Sequence, residues 1–273
     1  MTTRTRAATI AAALTVALAA AAPAGAAPNW APAATATIHP GVQTFTAGAQ
    51  CTANFVLYDA SNVYLGQAAH CAGTGSSTDT NGCTSGSLPL GTPVDIGGSQ
   101  SGTLIYSSWL TMQKLGETDP NTCQYNDLAL IRIDPADTGS VNPSIPFWGG
   151  PTGVNTTGTA AGDKVLSYGN SELRGGVTQL SPKEGYSLGT DSGGWNHNVY
   201  TATPGIPGDS GSAFLDRSGQ ALGVLSTVQI APLAASNGVG DFGHELSYLN
   251  TAGGFGVTLA LGTEPFRGPL LPL

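Results

Sequence analysis

Ser210 sits in Gly208-Asp209-Ser210-Gly211-Ser212, a tight turn with glycine on both sides and a carboxylate beside the hydroxyl. Such a turn bends sharply and leaves backbone N–H groups free to face whatever lies above the serine. A serine hydroxyl is a weak nucleophile until a base removes its proton. The chain offers a base, His70 in Ala68-Ala69-His70-Cys71, and a carboxylate to orient it, Asp127 in Asn126-Asp127-Leu128-Ala129-Leu130. Each residue alone has an ordinary explanation: a hydrogen-bonding histidine, an Asn-Asp turn ahead of a strand, a glycine-rich loop. Together, in the order His, Asp, Ser, they are the parts of nucleophilic acyl transfer.

These residues are far apart in the chain, so only tertiary structure can assemble them. Short apolar runs at Asn54–Tyr58, Val63–Leu65, Gly102–Tyr106, Leu128–Ile133, Lys164–Tyr168, Ser212–Leu215 and Ala221–Thr227 have strand length, with turn residues between them. That spacing predicts an all-β sandwich or barrel. Pro135–Gly153 is rich in proline and glycine and suits a connection between two halves. His244–Asn250 is the best helical stretch, near the C-terminal end. A site between two halves would take His70 and Asp127 from the first and Ser210 from the second.

The N-terminus has the form of a secretory signal. Arg4 and Arg6 precede an apolar run from Ile10 to Ala22, and Ala24-Gly25-Ala26 fits a small-x-small cleavage site after Ala26. The run is shorter than the ~20 residues that cross a bilayer, so a secreted protein without a membrane anchor is expected. The formal net charge is −8, and two of the nine cations leave with the signal. An acidic chain without a basic cluster argues against nucleic acid as partner. Only 10% of residues are charged, whereas glycine numbers 39, so the surface must be wetted by Ser, Thr and Asn. Ala27–Ala36 reads as a loose leader. Four cysteines allow three pairings; Cys51 with Cys71 and Cys83 with Cys123 are favoured, the first closing the loop that leads to His70. The four histidines lack metal-ligand spacing, and neither a metal nor a cofactor is expected. Asn155-Thr156-Thr157 matches a glycosylation acceptor.

With the motifs AAHC, NDLALI and GDSGSA in this order, the chain resembles the chymotrypsin/trypsin-like serine peptidases, in particular secreted actinobacterial members. The likeness spans roughly residues 45 to 250. It implies a chymotrypsin-like double β-barrel with a short C-terminal helix: a signal at 1–26, a short leader at 27–44, a first barrel over 45–140 and a second over 150–262. It further implies a catalytic triad. Ser210 attacks the peptide carbonyl, His70 moves the proton, Asp127 orients His70, and the N–H groups of Gly208 and Ser210 form the oxyanion hole. Ser226 matches the serine that supports the buried aspartate, and Cys51–Cys71 matches the family disulfide beside the histidine. The function implied is a secreted, monomeric serine endopeptidase acting on proteins or peptides.

Several positions depart from the family pattern. Gln67 stands where threonine is usual. Pro204 stands where trypsin-like members carry the aspartate that pairs with Lys or Arg, and Val228 where many have a pocket-opening glycine. A narrow specificity pocket and cleavage after small or medium uncharged residues are therefore expected. No Lys or Arg lies between Arg6 and Lys114, so a trypsin-type activating cut ahead of the first barrel is impossible. Asp209, which pairs with the freed amine in animal relatives, needs another partner, and Arg174 is a candidate. A catalytically silent binding module with the same fold is the alternative from a different class. An esterase would use the same chemistry but usually carries its triad in another order.

Overall fold

A computed structural model describes residues 27–76, 79–229 and 233–270; the signal segment lies outside them. The first half contains β1 (Gln43–Thr46), β2 (Ala49–Thr52), β3 (Val56–Tyr58), β4 (Val63–Ala68), β5 (Pro93–Ile96), β6 (Gln100–Ser107) and β7 (Leu128–Ile133). Two helices, α1 (Ser108–Leu115) and α2 (Pro120–Tyr125), interrupt the strands before β7. The second half contains β8 (Lys164–Tyr168), β9 (Pro182–Asp191), β10 (Asn196–Thr201), β11 (Ala213–Asp216), β12 (Ala221–Gln229) and β13 (Ser236–Asp241). Helix α3 (Phe242–Thr251) and a short β14 (Thr258–Leu259) follow.

Burial explains the strands. Every residue of β4 is buried, and β7 is buried except for Arg132, the pattern of strands covered on both faces. β5 alternates exposed and buried residues, as a strand with one wet face does. The second half closes into an antiparallel barrel in the order β10-β13-β12-β11-β8-β9. The first forms an eight-stranded sheet, β14-β3-β4-β7-β6-β5-β1-β2, whose end strands do not pair. β14 thus returns to the first sheet from within the stretch assigned by sequence to the second barrel. The architecture is the chymotrypsin-like all-β fold expected from the sequence.

Helices α1 and α2 were not expected. Their signals are local: Ser107 caps α1 and left-handed Gly116 ends it, while Asp119 caps α2 with Pro120 in its first turn. The expected helix near the C-terminus is α3, capped by Asp241. Both favoured disulfides form, Cys51–Cys71 and Cys83–Cys123.

The leader is not loose. Ile38 is fully buried in the first-half core, and Trp30 packs edge-on against Tyr58 at 6.0 Å. Ala31 N donates to Val141 O at 2.8 Å, and Asn142 Nδ2 donates to Ala31 O at 2.7 Å. Two apolar anchors dispersed among alanines and prolines tie the segment down, which its average composition conceals. Asn155 is also unsuited to carry a glycan as it stands: it is buried, and its Nδ2 donates to Asp216 Oδ2 at 2.8 Å.

Candidate active site

Asp127 immediately precedes β7, and His70 lies in the 3-10 turn Ala69–Ala72 that follows β4. Because β4 and β7 pair antiparallel, with Ala68 opposite Leu128, the two residues emerge side by side. Asp127 then holds the histidine turn at three points. Its carbonyl accepts Ala69 N–H at 2.7 Å, Oδ1 accepts His70 N–H at 2.9 Å, and Oδ2 contacts His70 Nδ1 at 2.6 Å. With Nδ1–H donating to the carboxylate, His70 Nε2 carries the lone pair that a general base needs. Burial pushes the His70 pKa down, but the Asp127 charge and hydrogen bond outweigh it, leaving the imidazole above its ordinary value.

Ser226, on β12, donates its hydroxyl to Asp127 Oδ2 at 2.6 Å. Asp127 is 3% exposed. Its carboxylate is therefore satisfied by two side chains and a backbone N–H, as a buried charge requires. The Asp127 N–H donates to Glu245 Oε1 at 2.9 Å. Glu245 projects from α3 and is fully buried, so burial drives its pKa well above the usual range, and the nearby Asp127 and Asp241 charges push the same way. This buried side chain thus seats the backbone of Asp127. Sequence reasoning missed Glu245, although its spacing with Phe242 and Leu249 places it on the buried stripe of α3.

Ser210 arrives from the second half on the turn between β10 and β11. Its carbonyl accepts Thr52 N–H at 2.8 Å, docking the turn on β2 beside the Cys51–Cys71 bridge. Gly211 N–H donates to Leu225 O at 2.7 Å, which ties the turn to the strand that carries Ser226. Gly211 has φ +85°, and a Cβ there would lie 2.7 Å from Thr52 O and 2.8 Å from Ala68 N. Glycine is what lets the two halves close at this point. Among the described residues the Ser210 hydroxyl makes no hydrogen bond, so the pair His70–Asp127 is joined while the Ser210–His70 link is open. Such links commonly tighten only with substrate bound. Neither Gly208 N–H nor Ser210 N–H has an acceptor among the described residues, which leaves both available to an incoming oxyanion.

Asp209 is fully buried and forms ion pairs with Arg174 Nη2 at 2.5 Å and Lys183 Nζ at 2.9 Å. Ser171 N and Ile206 N donate to the same carboxylate at 3.1 and 3.2 Å. Lys183 was not singled out from sequence; burial first, then the Arg174 charge, lower its pKa against the raising effect of Asp209. Pro204 lies at this cluster, its carbonyl accepting from Arg174 at 3.1 Å and Lys183 at 3.3 Å. Val228 is 56% exposed on β12. Between these two segments stands Asn237, fully buried, which accepts Gly205 N–H at 2.8 Å and donates to Thr227 O at 3.2 Å. Gln67 is fully buried too, accepting from Thr44 at 2.9 Å and donating to Thr46 at 3.2 Å, so its longer side chain is accommodated inside the first half.

Two other histidines, far apart in the chain, converge on one carboxylate. His197 Nε2 and His244 Nδ1 both contact Asp241, at 2.9 and 2.8 Å. Cys51, His70 and Cys71 bring potential metal-ligand atoms together, but both sulfurs are spent in the disulfide.

No protein-family model matches the chain, and no curated protein matches it in sequence. Solved structures do match in fold. The chain is similar to Thermobifida fusca protease A, with a TM-score of 0.52 and 20% identity over 82% of this chain and 99% of that one. It is also similar to a glutamic-acid-specific serine protease that uses a histidine triad in substrate binding, with a TM-score of 0.50 and 17% identity over 82% of this chain and 100% of that one. The fold is that of the chymotrypsin-like serine proteases.

Proposed function

We propose that this chain is a secreted serine endopeptidase that hydrolyses peptide bonds through an acyl-enzyme, with His70, Asp127 and Ser210 as its triad. The observation that carries the reading is the string Ser226–Asp127–His70, held tautomer-correct beside a glycine turn that offers Ser210 and two free N–H groups. In the first step Ser210 Oγ bonds to the carbonyl carbon as its proton passes to His70 Nε2. The carbonyl oxygen takes the negative charge toward Gly208 N and Ser210 N. His70 then protonates the departing amine, and water repeats the sequence to free the acid. Asp127 holds the imidazole and offsets its positive charge.

Arg174 and Lys183 occupy the buried side of Asp209, where a freed terminal amine would serve in animal relatives. The exported chain accordingly folds straight into its working form. Asn237, bridging the segments that hold Pro204 and Val228, supports a narrow pocket and cleavage after small or medium uncharged residues. Both disulfides fit an oxidising, extracellular setting. Among the described residues no helix is long and apolar enough to cross a membrane.

A peptide library with varied residues before the scissile bond tests this directly. The expected result is turnover after Ala or similar small residues, lost in Ser210→Ala. Dominant cleavage after Lys or Arg would overturn the pocket reading, and turnover unchanged in Ser210→Ala would overturn the triad. The open Ser210–His70 link is the one observation that favours a silent binding module. That reading expects no turnover of any library member by correctly folded protein.

A further inference from the structure

Two N–H groups must aim at one point to hold an oxyanion, and here their directions are fixed by different means. Ser210 N–H shares its peptide plane with Asp209 O, which accepts Ser212 N–H at 3.0 Å within the same turn. The turn therefore sets that donor by itself. Gly208 N–H shares its plane with Pro207 O. In a trans peptide the N–H and C=O point to opposite sides, so whatever grips Pro207 O decides where Gly208 N–H points.

What grips it is a side chain from outside the turn. Ser171 donates its hydroxyl to Pro207 O at 2.5 Å. Ser171 is itself held in place: it is 3% exposed, its N–H donates to Asp209 Oδ1 at 3.1 Å, and its Oγ accepts Leu173 N–H at 3.1 Å. The next carbonyl, Gly208 O, is secured separately by Gln50 Nε2 at 3.0 Å and Thr52 Oγ1 at 2.8 Å. Gly208 has φ +92°, and a Cβ there would stand 2.1 Å from Gln50 Oε1 and 2.8 Å from Ser171 Oγ. Only glycine fits between these two side chains, and glycine by itself resists peptide rotation little. The orientation of this donor is thus imposed by its neighbours.

We propose that Ser171 is a positioning residue for catalysis: by holding Pro207 O, its hydroxyl aims the Gly208 N–H at the forming oxyanion. The proposal rests on Ser210 being the nucleophile. It gives the loop after β8 a second task, since the loop also carries Arg174 to Asp209. Mis-aiming one donor costs less than deleting it, which typically costs ~10²–10³-fold in kcat.

The test compares wild type with Ser171→Ala, Ser171→Thr and Ser171→Cys on a peptide anilide, and adds inhibition by a peptide boronate, which forms a tetrahedral adduct on the serine. In Ser171→Ala, kcat is expected to fall on the order of 10- to 100-fold with KM within about twofold. The boronate should weaken by the same factor as kcat, and Ser171→Thr should restore both. Unchanged kcat in folded Ser171→Ala, a loss confined to KM, or failure of Ser171→Thr to rescue would each overturn the proposal. If Ser171→Ala does not fold, Ser171→Cys serves the same comparison, because a thiol is a poor donor. A crystal structure of the variant separates this claim from the nucleophile reading. If wild type is inert, a Pro207–Gly208 peptide turned in the variant still supports the positioning role, and an unturned one contradicts it.

Discussion

The two halves of the molecule solve the same problem, holding long loops around a site, with different chemistry. The first half ties its loops covalently: Cys51–Cys71 flanks His70, and Cys83–Cys123 joins the long β4–β5 connection to α2. The second half has no cysteine and buries charge instead. Asp209 is enclosed with Arg174 and Lys183, and Lys164 pairs with Glu184 at 3.3 Å with both side chains nearly buried. A disulfide acts mainly on the unfolded chain, whereas a buried ion cluster depends on every partner staying in place. The Ser210 turn therefore stands on the half whose integrity is more sensitive to a single substitution.

The deepest break in this comparison is chemical. Asp127→Asn keeps the shape of the first-half support but reverses the His70 hydrogen-bond polarity. At neutral pH kcat is expected to fall on the order of 10⁴-fold, with little change in thermal unfolding. Steady-state kinetics beside a melting curve checks both.

Next comes the ion cluster. Asp209→Asn leaves Arg174 and Lys183 buried without their counter-charge and should destabilise by about 3–5 kcal/mol. Replacing all three residues by apolar side chains of similar volume should recover much of that loss. Urea unfolding of the single and triple variants measures it. Equal losses in both would mean that the cluster contributes more than mutual neutralisation.

Removing the second disulfide by Cys83→Ser with Cys123→Ser should cost about 3–4 kcal/mol on the chain-entropy account. Because neither cysteine is bonded to the Ser210 turn, kcat of the folded fraction should be unchanged, unlike the Asp209 variant. Kinetics at a temperature where both variants are folded would expose a shared mechanism if one exists.

The smallest effect concerns Glu245. Its folded pKa lies well above the 4.5 of the free group, so the fold binds a proton that the unfolded chain has released. Stability from this residue is complete below 4.5 and declines as pH rises toward the folded value. Glu245→Gln removes the titration, so its urea midpoint should gain on wild type as pH is raised from 4.5. Parallel curves across pH would contradict a raised Glu245 pKa.

The sequence made some of this legible and hid the rest for physical reasons. His70, Asp127 and Ser210 lie in short contiguous motifs, so type and order suffice to single them out, whereas Ser226 comes from its match to a family serine. The strands that carry them are apolar runs bounded by turn residues, which fixes the all-β class. Lys183 and Glu245 sit on a strand and a helix with no local sign of their partners, Asp209 and Asp127, which lie 26 and 118 positions away. Arg174 was found by needing a cation for Asp209, an electrostatic demand rather than a pattern. Ser171 acts through a backbone carbonyl, and nothing in the sequence marks a carbonyl as needing a grip. The leader misled because half-buried Trp30 and buried Ile38 pack on the first-half core among residues whose average suggests a free tail.

The central claim is that Ser210 is activated by His70 without any further processing of the chain. Labelling the purified protein, its N-terminus sequenced, with a fluorophosphonate probe and locating the adduct by tandem mass spectrometry tests it most directly. The account expects one adduct, on Ser210, formed by the untrimmed chain and abolished in His70→Ala. Folded protein that takes no label until it is trimmed, or labels equally without His70, would contradict it.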